Sequence, residues 1–297
     1  MILMYHSIIA ENNLKLFGSI SLGVGLKRFI RQMQWLKANY RIVTLPEFLD
    51  EMEDGFASTP PVTITFDDGW RDNLALAAPV LRDYNIRPAI FLATRHISTG
   101  EPFWWVRLDN LLRSAAERKG ALEIKLSEGS PLKLNSDSRS IYKAYNKIKD
   151  IIIAKGQDEL SYICDQLKGV ERPQQRIVLN WDEVRKLEAM GWLIGPHTAN
   201  HHILSHGSAD MARKEIEESW RAVCREVKDP LPVFCFPNGR PEDFNENCIS
   251  IIKELGLSAA LTTQEAPADP HSDRFRLPRM KVDGEYGFWS FRHLLTV

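Results

Sequence analysis

Short apolar runs alternate with amphipathic stretches in the N-terminal third of the chain. Ile2–Tyr5 and Val62–Phe66 are rich in apolar, β-branched and aromatic residues, which predicts buried strands. Between them an apolar stripe with helical spacing runs through Leu26, Phe29, Ile30, Met33 and Leu36. Arg41–Thr44 and Pro88–Ala93 predict two more strands, and Leu74–Leu81 predicts a helix before the second. The alternation is typical of βα units that build a parallel sheet.

This alternation stops between roughly Ser98 and Arg176, where helical patterns flank a polar stretch. We therefore expect a mainly helical insertion over 98–176. No Gly-rich linker bounds it, which favours packing within one domain, 1–297, over independent folding. The aromatic run Phe103-Trp104-Trp105 fits a platform for stacking sugars and, more commonly, the hydrophobic core of such an insertion.

Strand and helix patterns resume after the insertion. Predicted helices cover Trp181–Met190, Asp210–Val227 and Glu242–Leu255, and predicted strands cover Trp192–Ile194, Val233–Phe236, Ala259–Thr263 and Leu277–Val282. Asn180 is the expected N-cap of the first helix. Seven or eight strands in this order fit an α/β fold of the barrel-like (β/α) type better than an open Rossmann sheet. No G-x-G-x-x-G follows the first strand, so the phosphate cradle of a dinucleotide site is missing.

Composition and charge argue against several classes of function. The 297 residues carry 38 basic and 39 acidic side chains, and a net charge of −1 without a basic block disfavours nucleic acid as a partner. No window approaches the roughly 18 apolar residues of a membrane span, so none is expected. The first residues lack the features of a signal peptide, which predicts a cytoplasmic protein. Four cysteines without a C-x-x-C pair are expected to be reduced thiols.

Polar clusters follow directly after several of the predicted strands. In chain order they are His6, Asp67-Asp68-Gly69, the His197 and His201 pair, and Asn238. Because the carboxyl ends of the strands of a (β/α) barrel share one face, clusters far apart in sequence converge there. We therefore expect these side chains to form one site.

The aspartates and histidines together suggest a metal site. Gly69 indicates that the strand has ended, so both aspartates can project over the barrel mouth. A cation separates the roles of two neighbouring carboxylates, because one ligates and the other stays free as a base. Two imidazoles and one carboxylate leave open positions for water and substrate, as in catalytic zinc sites. Each pair alone also has a plainer interpretation: an aspartate N-cap beside a turn glycine, and two loop histidines.

The spacing of His197 and His201 resembles that of H-E-x-x-H, but Thr-Ala-Asn stands between them. The missing glutamate disfavours a zincin protease. His202 and His206 extend the cluster with less reason to be ligands. A two-metal phosphoesterase would need more carboxylate and imidazole ligands than the chain offers in register.

The string Thr65-Phe-Asp-Asp-Gly69 with the downstream His197-Thr-x-x-His201 resembles the paired motifs of the polysaccharide deacetylase family, the NodB-homology group. Phe236-Pro-Asn-Gly239 is similar to a third motif of one branch, and Met4-Tyr-His-Ser-Ile8 resembles that branch's opening strand. The resemblance covers nearly the whole chain apart from the insertion.

The resemblance implies a distorted (β/α)7 barrel that removes an N-acetyl or other N-acyl group from an amino sugar in a glycan or glycan precursor. Asp68, His197 and His201 would hold one divalent metal ion, most often Zn²⁺, and Asp67 would be the general base. A divalent ion lowers the pKa of its water and polarises an amide oxygen. The backbone N–H near Asn238, where the branch commonly has Tyr, would help to hold the oxyanion.

Two further roles are implied near the C-terminus. Arg279 resembles a late arginine of the family that holds the base by a charge-assisted bond, although a surface salt bridge would also explain it. The late histidine that serves many members as general acid has no clear match, so His271, His293 and the early His6 are candidates. The missing motif leaves open a degenerate member that binds carbohydrate without hydrolysis. The sugar, and whether it is a polymer or a linked monomer, stay undecided.

Overall fold

The computed structural model describes residues 1–11, 22–56, 61–127, 129–155, 158–172, 175–284 and 287–295. The helices in these ranges are α1 Leu26–Asn39, α2 Leu45–Asp54, α3 Ala78–Asp83, α4 Thr94–Thr99, α5 Trp104–Lys119, α6 Ser138–Lys155, α7 Asp158–Gln166, α8 Trp181–Ala189, α9 Ala209–Glu226, α10 Glu246–Glu254 and α11 Phe288–Leu294. A π-helical turn, Asn73–Ala77, runs directly into α3, and 3-10 turns cover Leu204–His206 and Pro241–Asp243. None of these helices has both the length and the apolarity needed to cross a membrane.

Parallel strands form the centre of the fold. The strands are β1 Ile2–Tyr5, β2 Ser7–Ile9, β3 Gly23–Gly25, β4 Thr63–Phe66, β5 Ala89–Leu92, β6 Leu122–Ile124, β7 Leu132–Leu134, β8 Leu193–Pro196, β9 Val233–Cys235, β10 Ala259–Leu261 and β11 Met280–Lys281. A five-stranded sheet has the order β11-β1-β4-β5-β8, and β9 pairs with β10. One isolated bridge, Ile194 to Pro230, connects β8 to the segment before β9. Another, Leu261 to Leu277, connects β10 to the segment before β11. The described strands therefore follow a barrel-like order without continuous closure.

Several predicted elements differ from the observed ones for local reasons. Arg41–Thr44 is not a strand, because the chain makes a single bridge at Ile42 and Thr44 then caps α2 with a capping box. The helix expected over Leu74–Leu81 opens with the π-helical turn. The helix predicted from Glu242 begins only at Glu246, since Asn245 is its N-cap.

Residues 102–176 form a second compact unit, while the described residues before Pro102 and after Arg176 form the first. The second unit contains α5, α6, α7 and the antiparallel hairpin of β6 and β7, which was not predicted. Phe103 is fully buried and its ring stacks on Trp105 with the centroids 4.5 Å apart. This packing favours the core interpretation of the aromatic run. The interpretation of 98–176 as an insertion in one domain stays a prediction.

Aromatic packing aligns β1 and β4, the two strands that carry the first polar clusters. Tyr5 stacks on Phe66 at 5.5 Å, and Phe29 of α1 packs edge-on against both rings. The parallel register pairs Tyr5 with Phe66, and the Asp67 N–H donates to the Tyr5 carbonyl at 3.0 Å. His6 and Asp67 therefore leave adjacent strands at the same level.

Replacing Asn180 tests the predicted helix start. Its side chain accepts from the Glu183 N–H at 2.9 Å, and Glu183 accepts from the Asn180 N–H at 3.0 Å, which completes a capping box. We expect Asn180→Ala to lower the free energy of unfolding by about 1 kcal/mol. Asn180→Asp keeps the acceptor, so it should cost much less in the same urea titration. Equal losses for the two variants would show that the side-chain acceptor at position 180 contributes nothing to the free energy of unfolding.

Candidate active site

Asp67 is held by Arg279 in a buried, bidentate ion pair. Arg279 Nη1 and Nη2 donate to the two oxygens of Asp67 at 2.8 and 2.7 Å. Arg279 is fully buried, and its Nε donates to the Thr262 carbonyl at 2.8 Å. Its remaining contacts are Thr65 Oγ1 at 3.1 Å and Cys235 Sγ at 3.1 Å. The structure thus brings together the predicted base and the predicted late arginine.

This pair sets the charge of Asp67. Burial raises the pKa of the Asp67 carboxyl group, but the charge and hydrogen bonds of Arg279 lower it. The lowering outweighs the effect of burial, so the pKa of Asp67 lies below its ordinary value. His197 and His6 lower the pKa in the same direction. Asp67 is therefore an ionised carboxylate at neutral pH.

Asp68 points to a different set of partners. Its backbone has φ 74°, a left-handed conformation that few non-glycine residues adopt. Trp70 Nε1 donates to Asp68 Oδ2 at 2.8 Å. Oδ1 lies 3.2 Å from His201 Nε2 and 3.6 Å from His197 Nε2, and this buried oxygen has no hydrogen-bond partner among the described residues. Burial raises the pKa of Asp68, while both histidines lower it, so that it lies well below its usual range.

His197 and His201 present nitrogen atoms to Asp68. His197 Nδ1 lies 2.7 Å from the Cys235 carbonyl, which can only accept, so this nitrogen carries the proton and Nε2 is left as the ligand atom. One ligand atom each from Asp68, His197 and His201 lie within 4.8 Å of one another. The unpartnered Asp68 oxygen and two imidazoles fit a divalent ion such as Zn²⁺.

A second group of possible metal donors, Asp67, His197 and Cys235, shares His197 with the first. Arg279 already contacts both Asp67 oxygens and the Cys235 sulfur. A cation placed there would be repelled by the guanidinium, and burial raises the pKa of the Cys235 thiol. Of the two groups, the one at Asp68 is therefore the better candidate for a metal ion.

The loop that carries the histidines is held from α9 by Glu215, which the sequence analysis did not identify. The Asn200 N–H donates to Glu215 Oε2 at 2.8 Å, and Asn200 Nδ2 donates to Oε1 at 2.6 Å. His202 Nδ1 lies 3.3 Å from the same carboxylate, which ties His202 to α9. Glu215 shares the buried face of α9 with Ala212, Ile216 and Ser219, so helical spacing could have marked it.

The remaining candidates lie in different places. Asn238 is exposed with φ 58°, and no described residue accepts a hydrogen bond from its N–H. His271 occupies an exposed turn, where its N–H donates to Asp269 at 2.8 Å, and no described hydrogen bond or ion pair links it to the aspartates. His293 is exposed on α11. The structure therefore does not bring His271 or His293 to the cluster.

His6 is the histidine that lies beside the aspartates. It follows β1 directly, and its neighbour Tyr5 is paired in register with the residue before Asp67. Burial lowers the pKa of His6, whereas Asp68 and Asp67 raise it, and the net shift is downward. By this register His6 lies at the same level of the sheet as Asp67, which makes it the best placed of the three histidine candidates.

Replacing the two aspartates separately tests the division between metal ligand and base. We expect Asp68→Ala to weaken zinc binding by more than about ten-fold, because it removes the carboxylate that faces both imidazoles. Asp67→Asn should retain zinc, since the Asp67 carboxylate is bound by Arg279 and lies outside the Asp68, His197 and His201 group. Zinc affinity is measured by competition with a chelator, with His202→Ala as the control. Loss of zinc in Asp67→Asn and not in Asp68→Ala would reverse the assignment.

The ion pair of Asp67 and Arg279 predicts a loss of stability in acid. The folded pKa of Asp67 is depressed, so its contribution is complete above the unfolded value of about 3.9 and is lost as pH falls through the folded value. At pH 7 we expect Asp67→Asn to lower the free energy of unfolding by about 3–5 kcal/mol. In urea titrations this difference should shrink below pH 4. The exposed pair of Arg213 and Glu254 is the control, and Glu254→Gln should lower the stability far less than Asp67→Asn.

Most of the chain, including the cluster of aspartates and histidines, matches a known protein family. A family model described as polysaccharide deacetylase matches residues 55–260, a range that includes both aspartates, both ligand histidines and Asn238. His6 and Arg279 lie outside the matched range.

Two sequence relatives match different lengths of the chain. The protein YxkH of Bacillus subtilis is 40% identical over 98 residues, which are 32% of this chain and 32% of YxkH. The poly-β-1,6-N-acetyl-D-glucosamine N-deacetylase of Staphylococcus epidermidis is 23% identical over 268 residues, which are 87% of this chain and 68% of that enzyme. The chain thus aligns with about a third of the first relative and two thirds of the second.

Solved structures resemble the chain along its whole length. The Streptococcus pyogenes deacetylase PplD, solved in complex with acetate, superposes with a TM-score of 0.66 at 16% identity, covering 99% of this chain and 96% of PplD. IcaB from Ammonifex degensii superposes with a TM-score of 0.62 at 14% identity, covering 100% of this chain and 97% of IcaB. These likenesses confirm the predicted fold, a distorted (β/α)7 barrel of the deacetylase type. The family match covers more than half of the chain and shows that the chain belongs to the polysaccharide deacetylase family.

Proposed function

We propose that this chain is a metal-dependent hydrolase that removes the N-acetyl group from an amino sugar in a glycan or glycan precursor. The observation that carries the proposal is the division of labour between adjacent aspartates. Asp68 directs an unpartnered oxygen at two imidazole nitrogens, while Asp67 is ionised and both of its oxygens accept hydrogen bonds from Arg279. A protein that only binds carbohydrate has no use for both a ligand set and a separate base.

Asp68, His197 and His201 would hold the metal ion. When bound, such an ion acidifies a water molecule and polarises the amide oxygen. Asp67 accepts the proton of the attacking water, and Arg279 keeps its carboxylate oriented throughout. The Asn238 N–H supplies a backbone donor for the negative charge that develops on the carbonyl oxygen.

His6 is the proton donor in this proposal. As water adds to the carbonyl carbon and the C–N bond breaks, the sugar nitrogen leaves as an amine and needs one proton. His6 supplies that proton, while Asp67 holds the proton taken from water, and acetate is the second product. Histidine is the side chain that most often serves as a general acid. Of the three histidine candidates, His6 is the one that directly follows a strand paired in register with β4, the strand before Asp67.

The chemistry of the site and the relatives support an N-acetylated amino sugar as the substrate class. The relative from Staphylococcus epidermidis carries the name of a poly-β-1,6-N-acetyl-D-glucosamine deacetylase, which makes N-acetylglucosamine oligomers the first substrates to test. A neutral acetamide requires a local cation and not a basic surface, in agreement with the net charge of −1. A cytoplasmic location stays a prediction.

Mass spectrometry on N-acetylglucosamine oligomers of graded length tests the function. We expect the wild-type chain loaded with zinc to remove acetyl units, detected as a mass loss and as free acetate. Asp67→Asn should lower kcat by about 10²–10⁴-fold while zinc is retained, because the general base is missing. Asp269→Asn, beside the distant His271, is the matched control and should keep full activity. Binding of oligomers without any acetate release would favour a carbohydrate-binding protein instead.

A further inference from the structure

The chain changes sheets at His6. β1 ends at Tyr5 in the five-stranded sheet, and β2 begins at Ser7 in a separate pair with β3. His6 is the residue between the two strands, so neither ladder fixes its backbone from both sides. Another element must hold this segment if the imidazole is to keep one position.

Asp72 and Asn73 supply that support. Asn73 Nδ2 donates to the His6 carbonyl at 2.8 Å and to Asp72 Oδ1 at 3.2 Å. Ser7 Oγ donates to Asp72 Oδ2 at 2.5 Å, and the Ile8 N–H donates to Asp72 Oδ1 at 3.0 Å. The two side chains therefore hold three consecutive residues, beginning with His6.

Their position in the chain links this support to the rest of the site. Asn73 opens the π-helical turn, a local widening that often occurs at functional sites. The same helix follows directly on the turn that carries Asp67 and Asp68. The segment from Asp67 to Asn73 thus begins with the proposed base and the proposed metal ligand. It ends with the residue that binds the His6 carbonyl.

The arrangement is expensive for a purely structural contact. Asn73 is fully buried, and its Oδ1 has no hydrogen-bond partner among the described residues. Burial also raises the pKa of Asp72 to about 7. A buried polar atom without a partner is disfavoured, so Asn73 binds the His6 carbonyl at a cost in stability.

We propose that Asn73, supported by Asp72, is a positioning residue that holds His6 where it donates a proton to the leaving nitrogen. The proposal rests on the function proposed above, because it takes His6 as the donor. Asn73 contacts the backbone of His6 and not the substrate. Its removal should therefore affect proton donation without weakening zinc binding.

Two substrates, one whose leaving group needs a proton and one whose leaving group does not, distinguish a positioning role from a general loss of structure. We expect Asn73→Ala to lower kcat for the N-acetylglucosamine oligomer at least ten-fold, with KM changed less than two-fold. Hydrolysis of 4-nitrophenyl acetate should change less than two-fold, because nitrophenolate leaves without a proton. Asn39→Ala, which removes a similar amide-to-carbonyl bond at the end of α1, should leave both rates unchanged.

A double-mutant cycle decides whether the effect runs through His6. The double variant His6→Ala with Asn73→Ala should be no slower on the oligomer than His6→Ala alone. Additive losses, or equal losses on both substrates, would overturn the proposal. If Asn73→Ala does not fold, Asn73→Asp keeps the shape while removing the donor, and the same criteria apply.

The imidazole signal of His6 provides a readout that needs no turnover. We expect the C–H resonance assigned by His6→Gln to shift in Asn73→Ala and Asn73→Asp, and to stay unchanged in Asn39→Ala. An unchanged resonance in the Asn73 variants overturns the positioning role. If the wild-type enzyme releases no acetate from any oligomer, the proposed function fails, and the resonance still decides whether Asn73 holds His6.

Discussion

The buried ion pair between Asp67 and Arg279 is the interaction on which the site depends. Arg279 lies immediately before β11 and reaches Asp67 at the end of β4, while its other donors contact Thr262, Thr65 and Cys235. Residues in or directly after β4, β9 and β10 therefore meet at the guanidinium of Arg279, which itself lies before β11. Removing either charge would leave the other buried and unpaired, which is far more costly than losing a surface salt bridge. The stability of the barrel centre and the charge of the base are thus set by the same contact.

This pair also explains how two adjacent carboxylates can differ in role. The guanidinium donates to both oxygens of Asp67, so its positive charge neutralises that carboxylate. Asp68, in a left-handed conformation, faces His197 and His201 instead. One cation of the protein and one metal ion would then neutralise one carboxylate each, which removes the repulsion between them. A site with two carboxylates and no Arg279 would have no such separation.

How much the sequence predicts depends on whether a residue belongs to a local pattern. The parallel strands and the Asp67, Asp68, His197 and His201 cluster follow from apolar runs that end in polar motifs. Glu215 and Asn73 carry no motif, because each is one polar residue on a helix and only tertiary packing shows what it holds. Helical spacing nevertheless places both residues on buried helix faces, since Asn73 lies four positions before the buried Ala77. This spacing is the signal in the sequence that marks them. A late position in the chain is the feature that makes His271 a candidate. Proximity to Asp67 is instead set by the register of the strands, and this register favours His6.

Backbone strain is concentrated where the chemistry is. Of the described non-glycine residues with positive φ, Asp68, Thr198, His201 and Asn238 lie in the site, and Asn85 lies outside it. Each such conformation costs on the order of 1–3 kcal/mol unless the surroundings impose it. The surroundings here are specific: Trp70 binds the Asp68 carboxylate, Glu215 binds the histidine loop, and Thr263 Oγ1 donates to the Asn238 carbonyl. Rigid parallel strands bring the polar turns to one face, and these side-chain contacts hold the turns in conformations they would not adopt alone. The geometry of the ligands is therefore a property of the folded barrel and not of the motifs by themselves.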